Sequence, residues 1–323
     1  MSEIKTFPYG SIVEAFADHA KKTPDKVFSV DGKKQYTYED GMKIACGYAA
    51  YLKEQGVKAG DCVITKVSQT AAPFFCDLAV QLLHAVYVPV EKVVAAERVN
   101  FIIEKTGATI FVSDKDLGVN ARFLPLKEIY DHAAESVPED IDFPVPEETG
   151  EILFTTGTTG TSKGVEMSNV ATVHVAENVV NAIGLTPDDT EIIPIPINHA
   201  MGIRRAYANM LVGSKIVILD GVVFIDRIWK AFEEHGATGM CLVPAMLQVI
   251  FKLSGDKIGE YADRLAYMQI GASVLTHDDK QRLCELLPNT RLYDFYGCSE
   301  AGCACTADFN KHRDKFKSLG IPT

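Results

Sequence analysis

From Val27 onward, short runs of β-branched and other apolar residues alternate with stretches whose apolar positions recur at helical spacing, the pattern of strands joined by crossover helices in a parallel sheet. Residues 27–30, an Asp31-Gly32 turn and residues 35–37 predict a hairpin, followed by a helix that Thr37 caps and Gly56 ends. Strands are then expected over 62–67, 86–90 and 109–112, with helices over 72–85 and 95–106 between them, which makes a doubly wound half. Residues 135–151, ESVPEDIDFPVPEETGE, hold three prolines among a run of acids and fit neither period, so they read as an exposed connector. Beyond it the alternation resumes, with strands near Ile152, Ile192, Ile216, Thr238, Met268 and Leu292 and helices near Val170, Met201, Ile225, Ala245 and Thr276. The expectation is an α/β protein of two doubly wound subdomains packed together, one over 8–150 and one over 151–323.

Length agrees with that division, because 323 residues exceed what one hydrophobic core usually organises. Charge adds an exclusion: 32 basic against 43 acidic residues leave a net charge of −11, which argues against a nucleic-acid surface and requires any anionic ligand to be held by a local positive site. The N-terminus has no basic segment followed by an apolar core, and no stretch reaches transmembrane length, so the chain is expected to be cytoplasmic, with no stable membrane insertion. Most of the eight cysteines sit singly in apolar runs, as reduced core residues do. Cys298, Cys303 and Cys305 crowd together but lack the paired short loops of a zinc site.

Candidate chemistry begins where the apolar run 151–156 enters Gly157-Thr158-Thr159-Gly160-Thr161-Ser162-Lys163-Gly164. Glycines let successive N–H groups converge, threonine hydroxyls add donors and Lys163 adds a cation, together an envelope for a polyphosphate. A hydrophilic turn has some of the same residues. A Walker A loop needs glycine before the lysine and Ser or Thr after it, whereas Ser162 precedes Lys163 and Gly164 follows, so that pattern fails.

Written out from Thr155 as Thr155-Thr156-Gly157-Thr158-Thr159-Gly160-Thr161-Ser162-Lys163-Gly164, the segment resembles the signature loop of the adenylate-forming superfamily, close to Thr-Ser-Gly-Thr-Thr-Gly-x-Pro-Lys-Gly. That superfamily includes acyl-CoA synthetases, aryl-CoA ligases, beetle luciferases and the adenylation domains of peptide synthetases. Thr156 stands for the serine and Ser162 for the proline. Three further segments are similar to family motifs and follow in the family's order. Pro196-Ile197-Asn198-His199-Ala200-Met201-Gly202 resembles its Pro-x-Phe-His-x-x-Gly segment, with Asn198 in place of the aromatic residue. Gly271-Ala272-Ser273-Val274-Leu275 resembles its Gly-Gly-Ala-Pro-Leu turn, and Asp294-Phe295-Tyr296-Gly297-Cys298-Ser299-Glu300 its Tyr-Gly-x-Thr-Glu core. Ser318 to Pro322 looks like the Gly-x-Pro turn that leads into the next subdomain.

The resemblance implies an acetyl-CoA synthetase-like N-terminal domain over residues 8–323 that uses ATP and Mg²⁺ to activate a small-molecule carboxylic acid as its acyl adenylate. Coenzyme A is then the co-substrate of the intact enzyme. It implies that Thr155 to Gly160 and Lys163 hold the phosphates, that Gly271, Ala272 and Ser273 flank the acyl group and adenine, and that Asp294, Phe295, Tyr296, Gly297 and Ser299 bind the nucleotide. Lys163, Glu300 and His199 are the implied catalytic residues, with His199 at the acid pocket and Mg²⁺ on Glu300. Read without the family, Tyr296 is a core residue, Glu300 a helix-start residue and His199 structural.

Thr323 falls where the family continues into a barrel-like subdomain and a mobile C-terminal domain, so the expectation is an N-terminal segment that binds nucleotide with weak turnover. An amino-acid-activating domain is the alternative; it is disfavoured because residues 196–202 contain no aspartate for a substrate ammonium. Arg204 and Arg205 read as helix-surface charges, or else as contacts to a second carboxylate on the acid. A phosphotransferase lacks its motifs here, a non-catalytic nucleotide binder stays open, and so does a homodimer.

Overall fold

In the computed structural model, which describes residues 4–155 and 162–323, alternation along the strands sorts the apolar side chains into three cores. The first half of the chain runs through α1 (Ile12–Lys22), β1 (Val27–Asp31), β2 (Lys34–Thr37), α2 (Tyr38–Glu54), β3 (Cys62–Lys66), α3 (Ala72–Leu82), β4 (Val86–Val90), α4 (Ala96–Thr106), β5 (Ile110–Ser113) and β6 (Arg122–Pro125). Next come β7 (Thr149–Thr155), β8 (Lys163–Ser168), α5 (Asn169–Ile183), β9 (Thr190–Ile193), α6 (Ala200–Val212), β10 (Lys215–Ile218), α7 (Asp226–His235) and β11 (Gly239–Leu242). The chain closes with α8 (Pro244–Ser254), β12 (Tyr267–Gly271), α9 (His277–Leu286), β13 (Arg291–Cys298), β14 (Gly302–Asp308) and β15 (Ile321–Pro322).

Nine strands form one sheet, ordered β15-β14-β13-β12-β11-β9-β10-β1-β2, and six form the other, ordered β6-β5-β3-β4-β7-β8. Both are parallel through the middle; β2, β14, β15 and β8 add antiparallel edges. On the large sheet Ile192, Met240, Met268 and Leu292 face outward to α7, α8 and α9, whereas Ile193, Ile216, Cys241 and Tyr267 face inward. On the small sheet Ile64, Val88 and Phe111 face α4, whereas Val63, Tyr87 and Val112 face inward. The two inward faces share one core with α1, α2, α3, α5 and α6, so the layers run helix, sheet, helix, sheet, helix. The central helix of that shared layer has no wet side: residues 202–212 of α6 are all buried.

The two sheets do not divide at residues 150/151. β1 pairs in parallel with β10, which places the early hairpin in the large sheet, and β7 pairs with β4, which places 149–168 in the small one. Periodicity identifies a strand but not its partner, and both pairings are made across long stretches of chain. The proline-rich stretch up to residue 148 therefore joins two strands of the same sheet. Locally the reading of α2 holds: Thr37 Oγ1 accepts from the Asp40 N–H, Asp40 accepts from the Thr37 N–H, and Gly56 follows the helix with φ +96°.

Candidate active site

β7 and β8 form an antiparallel hairpin in which Thr155 lies opposite Lys163, and Ser162 Oγ donates to the Thr155 carbonyl at 2.7 Å. Thr155 is half-buried and Lys163 exposed. Thr156, Gly157, Thr158, Thr159 and Gly160 lie outside the described residues. The chain returns from the loop as a strand, and α5 starts later, at Asn169 behind the Ser168 cap. A Walker loop would open directly into a helix.

The other candidates gather at the carboxyl ends of the parallel strands β9, β12 and β13, where open α/β sheets bind ligands. Gly271 ends β12; a Cβ there would come within 2.2 Å of the Phe295 ring, so the glycine allows that ring to lie against the strand. Ala272 follows with φ +66°, an uncommon conformation for a residue with a side chain and one that concentrates at functional sites. β13 and β14 are joined by a tight turn carrying Ser299 and Glu300, and a Cβ on Gly297 would meet the Gly302 carbonyl oxygen at 2.0 Å.

Two adjoining cavities result. The larger, about 600 Å³, is lined by Ala272, Ser273, Asp294, Phe295, Tyr296 and Gly297, with the 316–319 segment opposite. Tyr296 is 56% exposed, so its ring is open to a ligand and the core reading of this residue fails. Asp294 is anchored by Lys280 Nζ at 2.6 Å, and that ammonium also donates to the Phe316 carbonyl. The smaller cavity, about 210 Å³, meets the first along Ala272, Phe295 and Gly297 and is otherwise bounded by His199, Met201, Gln269, Ser299, Cys303 and their neighbours. His199 immediately precedes α6, and Gly202 in the first turn has no room for a side chain, because a Cβ would lie 2.2 Å from the Pro196 carbonyl oxygen. Glu300 is exposed at the hairpin turn and, with Gly271 and Lys163, lines neither cavity.

Arg204 and Arg205 are not surface charges: they are 2% and 1% exposed and both border the smaller cavity. Arg204 pairs with Glu151 of β7, whose other oxygen accepts from Tyr207 Oη at 3.0 Å. The same Oη lies 2.6 Å from Asp77 Oδ2 of α3, so the two carboxylates compete for its one proton. Burial pushes the Asp77 carboxyl up to about 7, although the Tyr207 and Gln81 hydrogen bonds pull the other way. Arg205 turns toward the large sheet, binding Glu191 of β9 through Nε and Nη2 and donating from Nη1 to Gln269 Oε1 at 2.8 Å. A signal was present in the sequence: AMGIRRAYANMLV has no polar side on which two arginines could meet water, and Glu151 and Glu191 each sit in an apolar strand.

The AMP-binding enzyme family model matches residues 16–323, and the chain belongs to that family. Malpibaldin synthetase of Mortierella alpina is 25% identical over 314 residues, covering 94% of this chain and 6% of that protein. The chain thus spans a small part of the curated relatives it matches. VinN, solved with L-aspartate, superposes with a TM-score of 0.85 at 18% identity over 98% of this chain and 84% of that one. The o-succinylbenzoate coenzyme A synthetase MenE from Bacillus subtilis, solved in complex with AMP, gives 0.84 at 18% identity over 95% and 80%. The fold is that of the N-terminal domain of acetyl-CoA synthetase-like, adenylate-forming enzymes. Among the described residues, no helix is long and apolar enough to cross a membrane, and no group of His, Cys, Asp and Glu forms a metal cluster.

Proposed function

We propose that this chain binds ATP and activates a carboxylic acid as its acyl adenylate, the intact enzyme then transferring the acyl group to coenzyme A. The observation that carries this reading is the pair of cavities with a common wall at Ala272, Phe295 and Gly297, which suits two reactants that must touch at one point. Adenine and ribose take the larger cavity, with the Tyr296 ring as a stacking face and Asp294, held by Lys280, as the acceptor for the exocyclic amine. The acid takes the smaller one with His199 at its mouth.

A carboxylate oxygen attacks the α-phosphorus of ATP, a carbon–oxygen–phosphorus linkage forms, and pyrophosphate leaves with the electrons of the broken phosphorus–oxygen bond. Two anions approach each other, so electrostatic stabilisation is the central requirement. Lys163, exposed on the strand that leaves the phosphate loop, supplies a cation. Glu300 is an exposed carboxylate without an ion pair among the described residues, which fits an oxygen ligand for Mg²⁺. That ion neutralises phosphate charge when bound. The transfer step breaks the acyl–AMP linkage as the thiolate of coenzyme A attacks the carbonyl carbon, releasing AMP.

Similarity to VinN, solved with L-aspartate, supports an amino acid as the alternative acid, with a carrier protein as the alternative acceptor. Against the amino acid, no Asp or Glu among the described residues lines the smaller cavity to receive an ammonium. A calorimetric titration with Mg-ATP tests the site: Lys163→Ala and Glu300→Ala each weaken binding about tenfold, as loss of a charged contact does. Unchanged affinity in both variants removes the assignment.

A further inference from the structure

The buried face of α9 is made of Lys280, Leu283 and Cys284, and the lysine is the odd member. At 3% exposure in the first turn, its ammonium is opposed both by burial and by the helix dipole, and an apolar residue would pack there at less cost. Three groups fix it in place. Nζ lies 2.6 Å from Asp294 Oδ2, donates to the Phe316 carbonyl at 2.6 Å, and sits over the Phe309 ring, 5.6 Å from its centroid. Phe316 is itself packed edge-on against His277 and Phe309, so its carbonyl is held as well. The backbone of Asp294 is equally constrained: it pairs with Ile270 of β12 on one side and Ala307 of β14 on the other, and Thr306 Oγ1 donates to its carbonyl at 3.3 Å. Rotation of the side chain is the freedom that remains, and the contact with Lys280 removes it. The carboxylate nevertheless opens to the larger cavity. Its side chain is 13% exposed there, and Oδ1 accepts from no described residue and is not sealed as the spare nitrogens of Arg204 are.

We infer that Lys280 is a positioning residue for base recognition: by holding Oδ2 it aims Oδ1 of Asp294 at the 6-amino group of adenine, without itself touching the nucleotide. This rests on the adenylation reading above and deepens it. The test needs no turnover. AMP and purine riboside 5′-monophosphate, which lacks only the 6-amino group, are titrated calorimetrically into the chain. The wild type should bind AMP about tenfold more tightly, the worth of a hydrogen bond to a charged acceptor. Equal affinities overturn the inference and leave adenylation standing, whereas failure of both compounds to bind overturns the nucleotide site and this inference with it. In Lys280→Met, checked for folding by circular dichroism, the preference should fall to about threefold or less, because a carboxylate free to rotate must be ordered by the ligand that uses it. A purely structural role would weaken both nucleotides by the same factor and keep the ratio, which also overturns the inference. Should that variant not fold, Lys280→Gln is read by the same criterion: its amide is one bond shorter and keeps a donor, but cannot span both Asp294 and the Phe316 carbonyl.

Discussion

Arg204 and Arg205 are neighbours in the chain, equally buried, and tie α6 in opposite directions. Arg205 faces the large sheet with its guanidinium spent on Glu191 and Gln269, and Asn209 completes Glu191 from one turn further along α6. Arg204 faces the small sheet, spends one nitrogen on Glu151 and keeps two without partners beside the cavity. The difference separates a guanidinium whose nitrogens are all engaged from one engaged through a single nitrogen. All three guanidinium nitrogens of Arg205 are used within the protein, which ties α6 to β9 and β12. On the Arg204 side two guanidinium nitrogens are buried without a partner among the described residues.

The largest effect should come from breaking the clamp. Arg205→Met leaves Glu191 charged and buried without its cation, and should cost about 3–5 kcal/mol in chemical denaturation. A cost under about 1 kcal/mol would mean that Glu191 finds another partner.

The next effect belongs to the Arg204 side and depends on pH. Asp77 at about 7 lies above the unfolded carboxylate value of about 3.9, so the folded chain retains a proton that the unfolded chain has released. Its contribution is complete below about pH 4 and declines as pH rises toward 7, by at most about 1.4 kcal/mol per pH unit. Urea midpoints from pH 5 to 8 should fall in the wild type and stay flatter in Asp77→Asn. Parallel profiles for the two proteins would place the titration elsewhere.

Smallest is the contrast between lysine replacements. A lysine can reproduce the single contact of Arg204 with Glu151, so Arg204→Lys should cost about 1 kcal/mol, whereas Arg205→Lys loses contacts to two partners and should cost about 2–3 kcal/mol. Equal losses would erase the distinction between the two sides.

Much of this was legible in the sequence for a local reason. Strand and helix periods, the Thr37 cap and the end of α2 depend on residues a few positions apart, and the motif order placed the AMP-binding family across nearly the whole chain. Elements that escaped were α1, which precedes the first clear alternation, the edge strands β6, β8 and β15, and β14 beside β15, whose identity comes from pairing rather than from their own pattern. Three-dimensional structure alone decided where the sheets divide, because β1 meets β10 and β7 meets β4 over long chain separations. It also decided the fate of the arginine pair: their sequence context shows that α6 is apolar all round, but the carboxylates that neutralise them lie on β7 and β9. Burial of a charge is settled by what surrounds it in space, and only the packed helix between two sheets supplies both the counter-ions for Arg204 and Arg205 and the cavity they border.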